Sequence, residues 1–245
     1  MSRCFDNVDF AAGLSCNHKD GGLVMSRNEP LIEIDSARLN ERIQDIAAIG
    51  PTINGGSNRQ ALTDEDAEAR NLFIKWCNDA ACEVRVDSMG NIFARRHGSN
   101  PDADPILIGS HLDTQPTGGR FDGVYGVLAG LEVIESLNDS QIPTQAPVEV
   151  VVWTNEEGSR FDTPSMGSSV WAGLLSETNA HAQKDSQGQS VISELERIGF
   201  LGKVPTQVFP FRAAFELHIE QGPVLEQQNT LIGIVIGTQQ MSRHT

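Results

Sequence analysis

The chain reads as an α/β protein with a mostly parallel central sheet, and three observations predict it. Ile106-Leu107-Ile108 and Val148–Trp153 (VEVVVW) are short, unbroken apolar runs of the kind that fill buried strands. Between them lies one amphipathic helical pattern from about Asp122 to Leu137. Its stripe of Val124, Val127, Leu128, Leu131 and Ile134 should pack on the sheet. Both apolar runs break into polar residues, Gly109-Ser110-His111 and Asn155-Glu156-Glu157. Open α/β sheets bind ligands in the crevice at that end of their strands.

The remaining elements follow in chain order. Residues 1–30 lack periodicity and an apolar signal core, and Asp6, Asp9 and Asp20 argue against a transit peptide; they read as a flexible tail. Asp35 or Ser36 can cap a helix running to about Ile49, with Gly50-Pro51 as its stop. Thr63 starts a second helix whose first turn carries Asp64, Glu65 and Asp66, where the helix dipole favours negative charge. Leu72, Phe73, Trp76 and Ala80 give that helix a core face. Val84–Val86 and Ile92–Ala94 alternate across Asp87-Ser88-Met89-Gly90-Asn91, which predicts a hairpin. Ser165–Gly173 reads as a loop entering a short helix. Residues 180–190 read as exposed and polar, with His181 on the surface. Ser190 caps the pattern VISELERI. Ala213–Ile219 predicts a third apolar strand, with His218 near its end, and Leu231–Ile236 (LIGIVI) predicts a fourth.

Composition narrows the function classes. The 245 residues suffice for one large domain or two small ones. A net charge of -15 and a pI of about 4.7 weigh against nucleic acid or an anionic membrane surface as partner. No apolar run approaches the roughly 20 residues of a membrane span. Cys4, Cys16, Cys77 and Cys82 form no Cys-x-x-Cys pair and read as free thiols, which predicts a reducing, cytoplasmic setting.

The polar strand exits carry the chemistry. His111 and Asp113 form a His-x-Asp after the first buried strand, and alone such a pair is equally an ordinary hydrogen-bonded loop. Glu156-Glu157 after the second strand is, in isolation, a solvated acidic turn. His218 follows the third strand, and Asp122 stands at the start of the central helix. Parallel neighbouring strands would bring all four elements to one rim. Two imidazoles and two carboxylates there can hold a pair of divalent cations. A free glutamate beside them could move the proton of a water.

The stretches HLDTQPTGGRFDGVYGVLAG, NEEGSRF and ELHIEQGPVLE, together with DSMGN and GSSVWAG, resemble the M20-type metallopeptidase clan. The likeness is to its amidohydrolase branch of N-carbamoyl-L-amino-acid hydrolases, bacterial β-ureidopropionases and allantoate amidohydrolases, over about residues 31–237. The resemblance implies a zinc-peptidase-like three-layer sandwich holding two divalent metal ions, zinc or manganese, with cobalt or nickel as further options. It makes His111 and His218 ligands of one ion, Asp122 the bridge and Glu157 a ligand of the other. It makes Glu156 the general base and acid, and Asp113 the residue that orients His111. Gln221, and with it Gln239, would line the substrate site. The implied reaction is hydrolysis of a non-peptide C–N bond in a small carbamoyl, ureido or amidine compound, by a hydroxide bridging the metals.

Family members are longer. After a strand like LIGIVIG they insert a lid domain that forms the homodimer contact, then return to the catalytic domain with a further metal-binding histidine. The chain is therefore expected to be a partial catalytic domain over residues 31–237, followed by a divergent tail at 238–245. The expectations that follow are a weak second metal site, slow or absent turnover, and an aggregation-prone edge at Leu231–Ile236. Two other readings stay open: an inactive remnant serving as a binding module, and a metallo-aminopeptidase or dipeptidase of the same clan.

Overall fold

A computed structural model describes residues 32–237. The tail at 1–30, the tail at 238–245 and Gln239 lie outside the described residues, as do Cys4 and Cys16.

Helix α1 (Ser36–Ala47) starts where Asp35 accepts hydrogen bonds from the amides of Ala37 and Arg38. Ile43 and Ile46 are its buried residues. Helix α2 (Asp64–Asp79) is capped by Thr63, whose hydroxyl accepts from Asp66 N, and it buries Phe73, Trp76 and Cys77. Strands β1 (Glu83–Val86) and β2 (Ile92–Arg96) form the expected hairpin, with Val86 opposite Ile92. The Asp87 carboxylate closes its turn by accepting from the amides of Met89 and Asn91 and from the Asn91 side chain. Strand β3 (Ile106–His111), helix α3 (Val124–Asp139) and strand β4 (Val148–Trp153) form a crossover unit whose two strands run parallel. Three short helices follow: α4 (Met166–Trp171), α5 (Glu177–Ala182) and α6 (Val191–Arg197), the last opened by a Ser190–Ser193 capping box. Strand β5 (Ala213–Phe215) and helix α7 (Val224–Gln227) complete the described chain.

The five strands lie in the order β1-β2-β4-β3-β5. β3 runs parallel to both β4 and β5, whereas β2 is antiparallel to β1 and β4. The sheet is thus mixed: its parallel character is confined to β4, β3 and β5, because a hairpin supplies the other two strands. Alternation along β4 sends Val148, Val150 and Val152 into the main core with α3, and Val151 to the opposite face with Phe93, Leu107 and Trp171. Val124, Val127, Leu128, Leu131 and Ile134 of α3 are all fully buried. Each contributes about 1.5–3 kcal/mol relative to an exposed position. On the far face the buried Glu149 carboxyl is held by Arg85 Nη2 at 2.8 Å and Arg95 Nη2 at 3.3 Å.

Three expectations need correction. Leu231–Ile236 forms no strand: it pairs with nothing among the described residues, and Leu231, Ile234, Val235 and Ile236 stand almost fully exposed. The third strand is shorter than its apolar pattern, stopping at Phe215. Composition marks both segments as strand-like, but a strand exists only where a neighbour completes its ladder. Finally, His181 is half-buried on α5, and its Nε2 lies 2.9 Å from the carbonyl of Ser88 in the hairpin turn. No helix among the described residues is long and apolar enough to cross a membrane.

Candidate metal centre

The register of β3 and β4 sets the site. His111 pairs with Trp153, so the polar residues after both strands emerge at one rim. The two strands approach so closely that a Cβ at Gly109 would meet the Val151 carbonyl oxygen at 2.0 Å. His111 is buried, and its ring rests on Gly123, the N-cap of α3, whose φ of +67° suits glycine. Nδ1 of His111 lies 2.8 Å from the main-chain carbonyl of Asp113, which favours a proton there and turns the Nε2 lone pair to the cleft.

His111, Asp122 and His218 each offer a donor atom, and these atoms lie within 4.8 Å of one another. His218 Nε2 stands 3.2 Å from Asp122 Oδ1, and the two imidazole rings are 6.1 Å apart. Asp122 Oδ2 accepts from Gln221 Nε2 at 2.9 Å, so Gln221 also reaches the site. Glu156 points one carboxylate oxygen at His111 Nε2, 3.5 Å away, and its other oxygen accepts from Ser165 Oγ at 3.1 Å. Glu157 lies outside the group of three, with Oε2 accepting from Gln115 Nε2 at 3.0 Å.

Asp113 is fully buried. Its carboxylate does not hydrogen-bond His111, the nearest approach to Nδ1 being 3.9 Å. It accepts instead from two consecutive main-chain amides, Glu156 N at 3.1 Å and Glu157 N at 3.2 Å. Burial pushes the Asp113 carboxyl up to about 6, against the opposing pull of His111. Burial works against a charged His111, but the nearby carboxylates of Asp113 and Glu156 outweigh it and raise its pKa.

The donor set fits a divalent cation. Imidazole and carboxylate suit zinc and its first-row neighbours. Two carboxylate oxygens here, Asp122 Oδ1 and Glu157 Oε1, are buried and accept no hydrogen bond, Asp122 Oδ1 having only the His218 Nε2 contact at 3.2 Å, an arrangement that costs free energy unless a cation meets them. The structure therefore gathers His111, Asp122 and His218, sets Glu156 against them and holds Glu157 at the margin. Sequence reasoning assigned no role to Gln115 or Ser165. Gln115 stands inside the quoted HLDTQPTGG stretch, which was its one signal. Ser165 gave none beyond the small-residue loop. It adopts a left-handed conformation (φ 52°) that lets its amide reach the Glu156 carbonyl while its hydroxyl reaches the Glu156 side chain.

The family model described as Peptidase family M20/M25/M40 matches residues 107–240. An N-carbamoyl-L-amino-acid amidohydrolase of Rhizobium meliloti is 50% identical over 202 residues, covering 82% of this chain and 49% of that protein. A ureidoglycolate hydrolase of Oryza sativa is 34% identical and covers 88% of this chain and 46% of its own length. The crystal structure of a hydantoinase/carbamoylase family amidase from Burkholderia multivorans superposes with a TM-score of 0.81 at 52% identity, over 82% of this chain and 49% of that one. The chain spans about half the length of the curated relatives it matches.

Proposed function

Because the chain belongs to peptidase family M20/M25/M40, we propose that it hydrolyses a linear, non-peptide C–N bond in a small N-carbamoyl or ureido compound, at a centre for two divalent metal ions, zinc or manganese. The names of its relatives support the substrate class. The observation that carries the metal is the convergence of His111, Asp122 and His218 within 4.8 Å, with a buried Asp122 oxygen that accepts no hydrogen bond.

In this reading His111, Asp122 and His218 would hold one ion, and Glu157, with Asp122, would serve a second. Such ions, when bound, polarise a carbonyl and make water acidic enough to attack it near neutral pH. Glu156 carries the proton. It accepts it from the attacking water and delivers it to the departing nitrogen, so the new C–O bond and the broken C–N bond balance. Ser165 holds the Glu156 carboxylate in one orientation through Oε1 and leaves Oε2 on the His111 side. Gln221 contacts substrate from beside Asp122. The unpaired thiols of Cys77 and Cys82 support a cytoplasmic setting.

The test compares ammonia release from N-carbamoyl-L-amino acids and ureidoglycolate with cleavage of dipeptides, in zinc or manganese. Metal-dependent release from a carbamoyl or ureido compound is expected. Cleavage of dipeptides alone would overturn the reading.

A further inference from the structure

We propose that Asp113 is the positioning residue of the Glu156–Glu157 pair: its carboxylate fixes both glutamates through their main-chain amides, and its main-chain carbonyl, not its carboxylate, makes the hydrogen bond to His111. The geometry divides the two tasks between different atoms of one residue. His111 Nδ1 meets the Asp113 carbonyl at 2.8 Å, while the nearer carboxylate oxygen is 3.9 Å away, beyond hydrogen-bonding reach. Each carboxylate oxygen instead takes one amide, Oδ1 from Glu156 and Oδ2 from Glu157.

The turn is built to present those amides. Asn155 has a left-handed backbone (φ 51°), and its side-chain amide is tied to the carbonyls of Phe161 and Thr163. A left-handed residue next to the turn lets successive N–H groups point to one side, forming a concavity that holds an anion. Here the anion is a side chain supplied by the neighbouring strand's exit. Asp113 is 0% exposed, so water does not compete for its oxygens. The ends of β3 and β4 are thereby joined at the rim, and Ser165 completes the hold on Glu156 from the other side.

The functional consequence rests on the reading of Glu157 as a ligand of the second ion; the structural claim does not. Two measurements separate them. In the unsubstituted chain without metal, hydrogen exchange followed by NMR should show the Glu156 and Glu157 amides protected and shifted downfield. Exchange of both at the rate of an open loop in the folded chain would overturn the proposal. In Asp113→Asn, one oxygen is replaced by an amide group that cannot accept. That variant should lose the protection at one or both amides and weaken the second equivalent of zinc about 10–100-fold, the usual effect of disturbing a ligand's support. The first equivalent should stay within about threefold of the parent value. Weakening of the first equivalent with the second unchanged would show Asp113 acting through His111, and would also overturn it. A chain that shows the amide protection but takes up no zinc would refute the proposed function and leave the positioning role standing.

Discussion

The imidazole of His111 lies so close to Gly123 that a Cβ at position 123 would stand 2.5 Å from three ring atoms, Cδ2, Cε1 and Nδ1. The glycine also holds φ +67°, a left-handed conformation. Gly123→Ala therefore meets two obstacles at once. The backbone alone costs about 1–3 kcal/mol in this region. The ring must also shift, carrying its Nε2 with it. Denaturant unfolding should register the loss of stability, and calorimetry should show the first zinc equivalent weakened. An unchanged first equivalent would mean that this ring is not a ligand.

Zinc titration of the unsubstituted chain should resolve two unequal events. His111, Asp122 and His218 form one compact set, whereas Glu157 lies outside it and pairs with Gln115. Catalytic zinc sites usually take three protein ligands and a water. The second event should be the weaker, and two equally tight sites would contradict the assignment.

Glu156→Gln keeps the shape of the side chain and removes its capacity to accept a proton. Turnover of a carbamoyl substrate should fall about 10²–10⁴-fold, the span of general acid–base catalysis. Zinc stoichiometry should not change. A loss of zinc instead would make Glu156 a ligand.

Acid should loosen the joint between α1 and α3. Glu132 is buried and accepts from Arg38 Nε and Nη2, both at 2.8 Å, from Asp35 N and from Ser136 Oγ. Burial works to raise its pKa, but Arg38 and the other donors outweigh it and hold the carboxyl below its ordinary 4.5. A depressed folded pKa gives stability that is complete above the unfolded value and is lost as pH falls through the folded one. Unfolding free energy should thus decline below about pH 4.5. In Glu132→Gln that decline should be shallower and stability at neutral pH lower by about 1.5–3 kcal/mol, the worth of hydrogen bonds to a charged group.

Arg59→Met tests the packing beneath the site. The Arg59 side chain is fully buried and donates to the carbonyls of Ile46, Ile49 and Leu112, linking the end of α1 to the His111–Asp113 loop. Methionine fills much of the space and leaves the Ile49 and Leu112 carbonyls without the donor Arg59 supplied, while Ile46 O keeps the amide of Ile49. A loss of about 2 kcal/mol or more is expected, given about 1–3 kcal/mol for each buried group left unsatisfied. A near-neutral melting temperature would count against it.

Much of this was legible in the sequence, for identifiable reasons. The caps of α1 and α2 are local chemistry: Asp35 and Thr63 bond to amides within three residues of themselves. β3 and β4 were readable because strands buried in the sheet carry continuous apolar runs, and α3 because its buried residues recur as one stripe. The polar exits at His111, Glu156 and Glu157 were visible as breaks in those runs. The partners of Asp113, Gln115 and Ser165 were not, since each choice between hydrogen-bonding groups is settled by a fraction of an ångström at the rim. Residues 231–236 misled for the opposite reason: their composition suits a strand, but pairing depends on what lies alongside.

The exposed apolar residues have their own consequence. Phe215, Leu231, Ile232, Ile234, Val235 and Ile236 are all exposed. Apolar side chains left in water attract dyes, chaperones and other copies of the same polypeptide. The folded chain should light up an apolar-sensitive fluorophore before any denaturant is added.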